Sequence, residues 1–193
     1  MPEPSREQGT RPWSGASLVP QAALNALCVR LGVLEDMPAL QRIEAEASAL
    51  FPPGVLPIAL TRFTSSEDFA SAIDNALLLV AEIGQATSPV GFLLAQTQGE
   101  SLHIAEMDVA PSMGRRGVGT GLLEHAACLA RQHGFRFLTL TTFEHLPWNA
   151  PFYAKQGYLQ VQAFDEFPHL AAALGQERVI GLSRRVAMVK IAA

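Results

Sequence analysis

The sequence predicts an α/β chain of mixed α+β character, with a central mixed sheet of about seven strands flanked by helices on both faces. Apolar segments of strand length recur along the 193 residues, and amphipathic helical stretches separate several of them. Three of these strands, Leu77–Ile83, Val90–Gln96 and Leu102–Val109, follow one another across short polar segments suited to hairpins, which makes an antiparallel meander. The next connection runs from Leu102–Val109 through a helix to Phe135–Phe143. It has the length of a βαβ crossover and sets two parallel strands side by side in the same sheet.

Residues 1 to about 22 read as a mobile leader. Four prolines fall within the first twenty residues, and Glu3, Arg6 and Glu7 are unlike the basic start and unbroken apolar run of a signal peptide. The stretch 23–193 reads as one domain, large enough to enclose its own core. Cys28–Leu34 alternates as a first strand. Glu35 and Asp36 then offer an N-cap, and Pro38 an early proline, for a helix to about Ala49, which Phe51-Pro-Pro-Gly54 ends. Ser65-Ser66-Glu67-Asp68 caps a second helix reaching about Asn75. Beyond the meander, Val118, Leu122, Ala126, Leu129 and Ala130 recur at helical spacing, with Arg131 and His133 in the last turn and Gly134 as the stop. A short helix follows, with Asn149 as N-cap, Pro151 in its first turn and Gly157 at its end. Tyr158–Ala163 and Arg184–Ile191 complete the strands.

Composition narrows the function. Hydrophobic residues make up 49% and charged residues 17%, as in a folded globular chain, and a net charge of −4 offers no general attraction to nucleic acid or to an anionic membrane. No nucleic-acid or membrane partner is therefore expected. Leu77–Ala81 is far shorter than the roughly 18 apolar residues that span a bilayer. Cys28 and Cys128 stand far apart and form no CxxC, which suits a reducing cytoplasm and implies neither a metal site nor a redox pair.

The chemistry concentrates after the fourth strand, in Gly114, Arg115, Arg116, Gly117, Val118, Gly119, Thr120 and Gly121. Glycines there let several backbone N–H groups converge on a ligand at a helix start that carries partial positive charge, and two arginines add cations. A phosphate is the expected ligand. A P-loop would need Gly-Lys followed by Ser or Thr, and the loop has no lysine. A dinucleotide fingerprint built on Gly117 and Gly119 would need glycine at Leu122.

What remains resembles the pyrophosphate loop of the GCN5-related N-acetyltransferases, the GNAT superfamily. Arg116-Gly-Val-Gly119 followed by Leu122-Leu123 matches its core, with Gly114 where the family usually has Gln or Arg and Arg115 one place later. A second family signature is met by Asn149, Phe152-Tyr153 and Gly157-Tyr158. The resemblance covers roughly residues 27–191, the first eighty in element order only.

The resemblance implies acetyl-CoA as cosubstrate, lying in a splay between the fourth and fifth strands. The backbone of Met107 and Val109 would pair with the pantetheine arm, and Gly114 to Gly121 would hold the pyrophosphate. Asn149, with Phe152 near it, would reach the pantetheine end. It further implies acetyl transfer to a primary amine by direct attack in a ternary complex, without a metal, and a homodimer as the default assembly. The alternative is a non-catalytic sensor that binds acetyl-CoA or CoA. Tyr153, four residues after Asn149 and so on the same helical face, would be the general acid; with ordinary pKa values its proton transfer to a thiolate is uphill by about 2 kcal/mol.

For the base there are two candidates. His103 is the first, because His103, Ala105, Met107 and Val109 share one face of a regular strand and family branches place a Glu or His at this position. Glu106 is the other, since a bulge would change its face. His145, Asp165, Glu166 and His169 follow the fifth strand and are read as solvent-exposed, Trp148 as packing, and Glu44 and Glu46 as a solvated helix face.

Overall fold

The computed structural model describes residues 26–57, 64–84 and 88–192, and the expected leader lies outside them. One sheet contains β1 (Leu27–Leu31), β2 (Leu78–Ile83), β3 (Gly91–Gln98), β4 (Ser101–Val109), β5 (Phe137–Phe143), β6 (Leu159–Gln160) and β7 (Arg185–Ile191), in the order β1-β2-β3-β4-β5-β7-β6. The first four strands form the expected antiparallel meander, β4 and β5 are parallel, and β7 runs antiparallel to β5 and β6.

β1 stops at Leu31, short of the expected Leu34, and electrostatics explains why. The Arg30 guanidinium donates to both oxygens of Asp36 at 2.7 and 2.8 Å and to Glu82 at 2.6 Å, while Asp36 also accepts from the N–H of Val33. The chain is thereby turned out of the sheet, and Asp36, at the N-cap position of the next helix, makes no capping bond. β6 is likewise shorter than the expected Tyr158–Ala163, because Tyr158 turns into the core at 2% exposure and leaves two residues to pair with β7.

α1 (Met37–Ser48) and α2 (Ser66–Asp74) cover one face of the sheet, pressing Leu40, Ile43, Phe69 and Ala72 onto Leu78, Val80, Phe92 and Leu94. α2 begins as its sequence requires, with the Ser65 hydroxyl accepting the N–H of Asp68 at 3.1 Å. α3 (Val118–Gln132) and α4 (Ala150–Lys155) cover the opposite face, where Val118, Leu122, Ala126 and Ala130 meet Leu79, Leu93, Leu102 and Leu138. α5 (Pro168–Val179) was not expected from the sequence. Its apolar residues form no stripe and Leu170 alone among them is fully buried, packed near Phe167 and Ala187. Among the described residues no helix is long and apolar enough to cross a membrane.

Candidate active site

β4 and β5 are paired only at Ser101↔Phe137, Leu102↔Leu138 and His103↔Thr139. Beyond these the two strands part, and the side of β4 facing β5 keeps backbone groups without a ladder partner, able to accept an extended ligand as an added strand. A bulge marks the point of divergence. Ile104 pairs with Ala95 but Glu106 pairs with Leu94, leaving Ala105 as the extra residue. The opening is a cleft of about 1160 Å³ walled by β4, β5, the loop before α3, α4 and the end of α1.

Gly114, Arg115, Gly117, Val118, Gly119 and Thr120 line this cleft. Gly117, the N-cap of α3, has φ of 83° and supplies no side chain to cap the helix, so the first N–H groups of α3 are left for a ligand. Arg115 also takes a positive φ of 60°, a conformation disfavoured for a side-chain-bearing residue. The structure separates two members of the predicted cradle from the rest. Arg116 is exposed and does not line the cleft. Gly121 is buried, its N–H donates to the Gly117 carbonyl at 2.9 Å, and a Cβ there would lie 2.4 Å from Leu27 Cδ2. That glycine lets α3 approach β1.

Glu106, Met107, Val109, Asn149, Phe152 and Tyr153 all line the same cleft. Asn149 holds the N-cap position of α4 without capping it, and its Oδ1 is buried with no hydrogen-bond partner among the described residues. An amide oxygen of this kind is disposed to accept from a ligand. Tyr153 is buried; loss of hydration, then Tyr158, Glu106 and Asp108, hold its phenol well above the ordinary value, so it stays protonated.

His103 is elsewhere. The bulge inverts the alternation, so Leu102, Ile104, Met107 and Val109 face α3 while Glu106 and Asp108 share a face with Phe92 and Leu94. The expected shared face of His103, Ala105, Met107 and Val109 therefore does not exist. His103 Nδ1 lies 3.1 Å from Thr139 Oγ1, whose other neighbour at 3.1 Å is His169 Nε2. Burial, reinforced by His169, holds the His103 imidazole down to about 4. Glu106, by contrast, stands in the cleft, and loss of hydration followed by the charge of Glu44 pushes it up to about 7, against the pull of Arg185.

The sequence matches the acetyltransferase (GNAT) family over residues 40–158. The chain belongs to the GNAT family. Solved structures agree on the fold. An N-acetylglutamate synthase from Neisseria gonorrhoeae, complexed with coenzyme A and N-acetylglutamate, is 20% identical with TM-score 0.65, over 87% of this chain and 35% of that one. The PaiA N-acetyltransferase from Thermoplasma acidophilum, complexed with coenzyme A, is 16% identical with TM-score 0.64, over 86% and 99%. The ribosomal-protein-S18-alanine N-acetyltransferase from Escherichia coli is 18% identical with TM-score 0.61, over 87% and 95%.

In this GNAT chain the site also holds groups that sequence reasoning passed over. Asp108 lies beside Glu106, and burial, with the charges of Glu106 and Glu44, raises it further still. Glu44 is 7% exposed and not on a solvated face; Glu46 is exposed and pairs with Arg42. Glu44 Oε1 accepts from the N–H and hydroxyl of Thr64, whereas Oε2 is buried without a partner among the described residues. Arg185 and Glu177 form a two-bond ion pair at 2.8 and 3.0 Å on the far wall, where Thr141 also donates to Glu177. Among the described residues no group of three or more His, Cys, Asp or Glu is arranged to hold a metal ion.

Proposed function

We propose that this GNAT protein transfers the acetyl group of acetyl-CoA to a primary amine by direct attack in a ternary complex. One observation carries the reading: Tyr153 and Glu106 line a single cleft that begins where β4 leaves β5 and ends at an open helix N-terminus. A proton donor, a proton acceptor and an anion cradle are thus held in one continuous space.

The first N–H groups of α3, with Arg115, hold the pyrophosphate; the unpaired side of β4 near Met107 and Val109 aligns the pantetheine arm; Asn149 Oδ1 accepts from it. Glu106 takes the proton that the acceptor ammonium must lose, directly or through a water, and a carboxyl poised near neutrality suits that task at physiological pH. The amine nitrogen then bonds to the acetyl carbonyl carbon, the C–S bond breaks, Tyr153 protonates the departing thiolate, and the second proton shed by the nitrogen as it becomes an amide returns the phenolate to phenol. Burial raises the phenol but would raise a thiol beside it in the same direction, so the uphill step does not grow by the full shift of the tyrosine.

The test is calorimetric titration of acetyl-CoA together with thiol release across a panel of amines. Saturable binding and amine-dependent release support the reading. Binding without release from any amine favours a sensor, and no binding of CoA or its acetyl ester refutes the proposal.

A further inference from the structure

The cleft extends beyond the two proton-transfer groups, and its walls differ in chemistry from floor to mouth. At the floor stand three carboxyls, Glu44, Glu106 and Asp108, close enough that the charge of Glu44 raises the proton affinity of both others and Glu106 raises that of Asp108. Glu44 Oε2 is buried and accepts no hydrogen bond from the described residues, an arrangement that costs stability unless a donor arrives from the cleft it lines.

Above the floor the wall becomes apolar. Glu44, Ala47, Ser48 and Phe51 all line the cleft along one side of α1 and its continuation, whose turns are kept by Leu50 N–H to Ala47 O and Phe51 N–H to Ser48 O. At 1.5 Å per residue, Phe51 lies about 10 Å beyond Glu44. Phe51 meets Trp148 edge-on at 6.2 Å and Phe143 at 5.6 Å. Leu50, Trp148 and Ile180 line the mouth while 52%, 46% and 42% exposed, large apolar surfaces left open to solvent at the entrance of a cleft.

None of the described cations at the cleft stands on the α1 side. Among the described residues the basic side chains lining the cleft are Arg115, which belongs to the anion loop, Lys155, which ends α4, and Arg185, whose guanidinium is committed to both oxygens of Glu177. Among the described residues the wall that runs from Glu44 to Phe51 therefore presents no cation to a carboxylate, and its floor repels one.

We propose that the acceptor is a primary amine with an apolar, carboxylate-free body, its ammonium received by Glu44 and Glu106 and its body lying against Leu50, Phe51 and Trp148. The proposal rests on the acetyltransferase reading and names its substrate class. Charge complementarity selects the ammonium, and the distance from floor to aromatic rim fits a body about the length of an arylalkyl chain. A compact dication would leave the rim empty, and an amino acid would bring its carboxylate against the floor.

The experiment titrates three amines into the CoA-loaded protein by calorimetry and measures kcat/KM for each with acetyl-CoA: 2-phenylethylamine, L-phenylalanine and putrescine. 2-Phenylethylamine is expected to bind and react at least tenfold better than either of the others. Trp148→Ala, at an exposed position, should cut that preference at least fivefold, and Glu44→Gln should weaken 2-phenylethylamine binding about tenfold. Equal or better use of L-phenylalanine or putrescine overturns the proposal, as does a CoA-loaded protein that binds none of the three. Failure to bind CoA or acetyl-CoA at all is a different result, because it sinks the acetyltransferase reading itself.

Discussion

Glu106 stands opposite Leu94 in the β3–β4 ladder, one residue out of step with Ile104, which stands opposite Ala95. This slip decides which side chains reach the cleft. A regular strand would have put His103 on the same face as Met107 and Val109; the extra residue, Ala105, puts Glu106 and Asp108 on His103's face but past the point where β5 has moved away. The proposed base reaches the cleft through that count of one.

If Glu106 is the base, the acidic limb of kcat/KM belongs to it. Activity should fall as pH drops through about 7, because the carboxyl must be ionised to accept a proton. Glu106→Gln should lower kcat/KM by roughly 100-fold and remove the limb, whereas His103→Ala should keep it. A limb that vanished in His103→Ala would reverse the assignment.

The same carboxyl leaves a signature in stability. Its folded value, about 7, lies above the ordinary 4.5, so between these pH values the folded state holds a proton that the unfolded state has released, and stability is lost as pH rises. The Tm of Glu106→Gln relative to the unaltered protein should therefore rise from pH 5 to pH 8. A constant difference across that range would show that Glu106 ionises normally.

Tyr153→Phe should lower kcat by on the order of 100-fold while the acetyl-CoA Kd changes little, since the ring still fills its buried position and only the proton donor is lost. Thiol release and calorimetry read the two quantities separately. A weakened Kd with intact kcat would make the phenol a binding group.

The two arginines of the loop should behave unequally. Arg115 lines the cleft and Arg116 does not, so Arg115→Ala should weaken CoA binding about tenfold and flatten its salt dependence, while Arg116→Ala stays within twofold. Equal losses would mean that Arg116 swings into the cleft when ligand binds.

Thr139 is fully buried between His103 and His169, and a single hydroxyl proton cannot serve both rings, so one imidazole must donate to it. Thr139→Val should destabilise the protein by about 1–3 kcal/mol, with kcat unchanged. Denaturant melts and steady-state rates check this; a fall in kcat at full stability would give the histidine pair a catalytic part.

Sequence pattern revealed what is local or periodic. The meander, the crossover helix, the Ser65 cap and the cleft position of Gly117, Asn149 and Tyr153 were all legible, because each depends on spacing within one or two elements. The bulge at Ala105 was not, since no glycine or proline marks it and the slip exists only relative to β3. For the same reason His103 was favoured over Glu106. Glu44 looked like one of two charges on a helix face, and only the packing of α1 against β4 shows that it is buried. α5 escaped because its alanines and leucines lack a stripe, and so did the Arg185–Glu177 pair that it forms with β7.

With three ladder pairs joining β4 to β5, the sheet is nearly two sheets. The meander with α1 and α2 lies on one side of the opening and β5, β6 and β7 with α5 on the other, and beyond those three pairs the two sides are joined by side-chain packing under α3 rather than by a ladder. An extended occupant that bonds along the open side of β4 and also touches α4 would act as a keystone across that opening. An occupant of the cleft would thus complete the ladder that the two strands leave open.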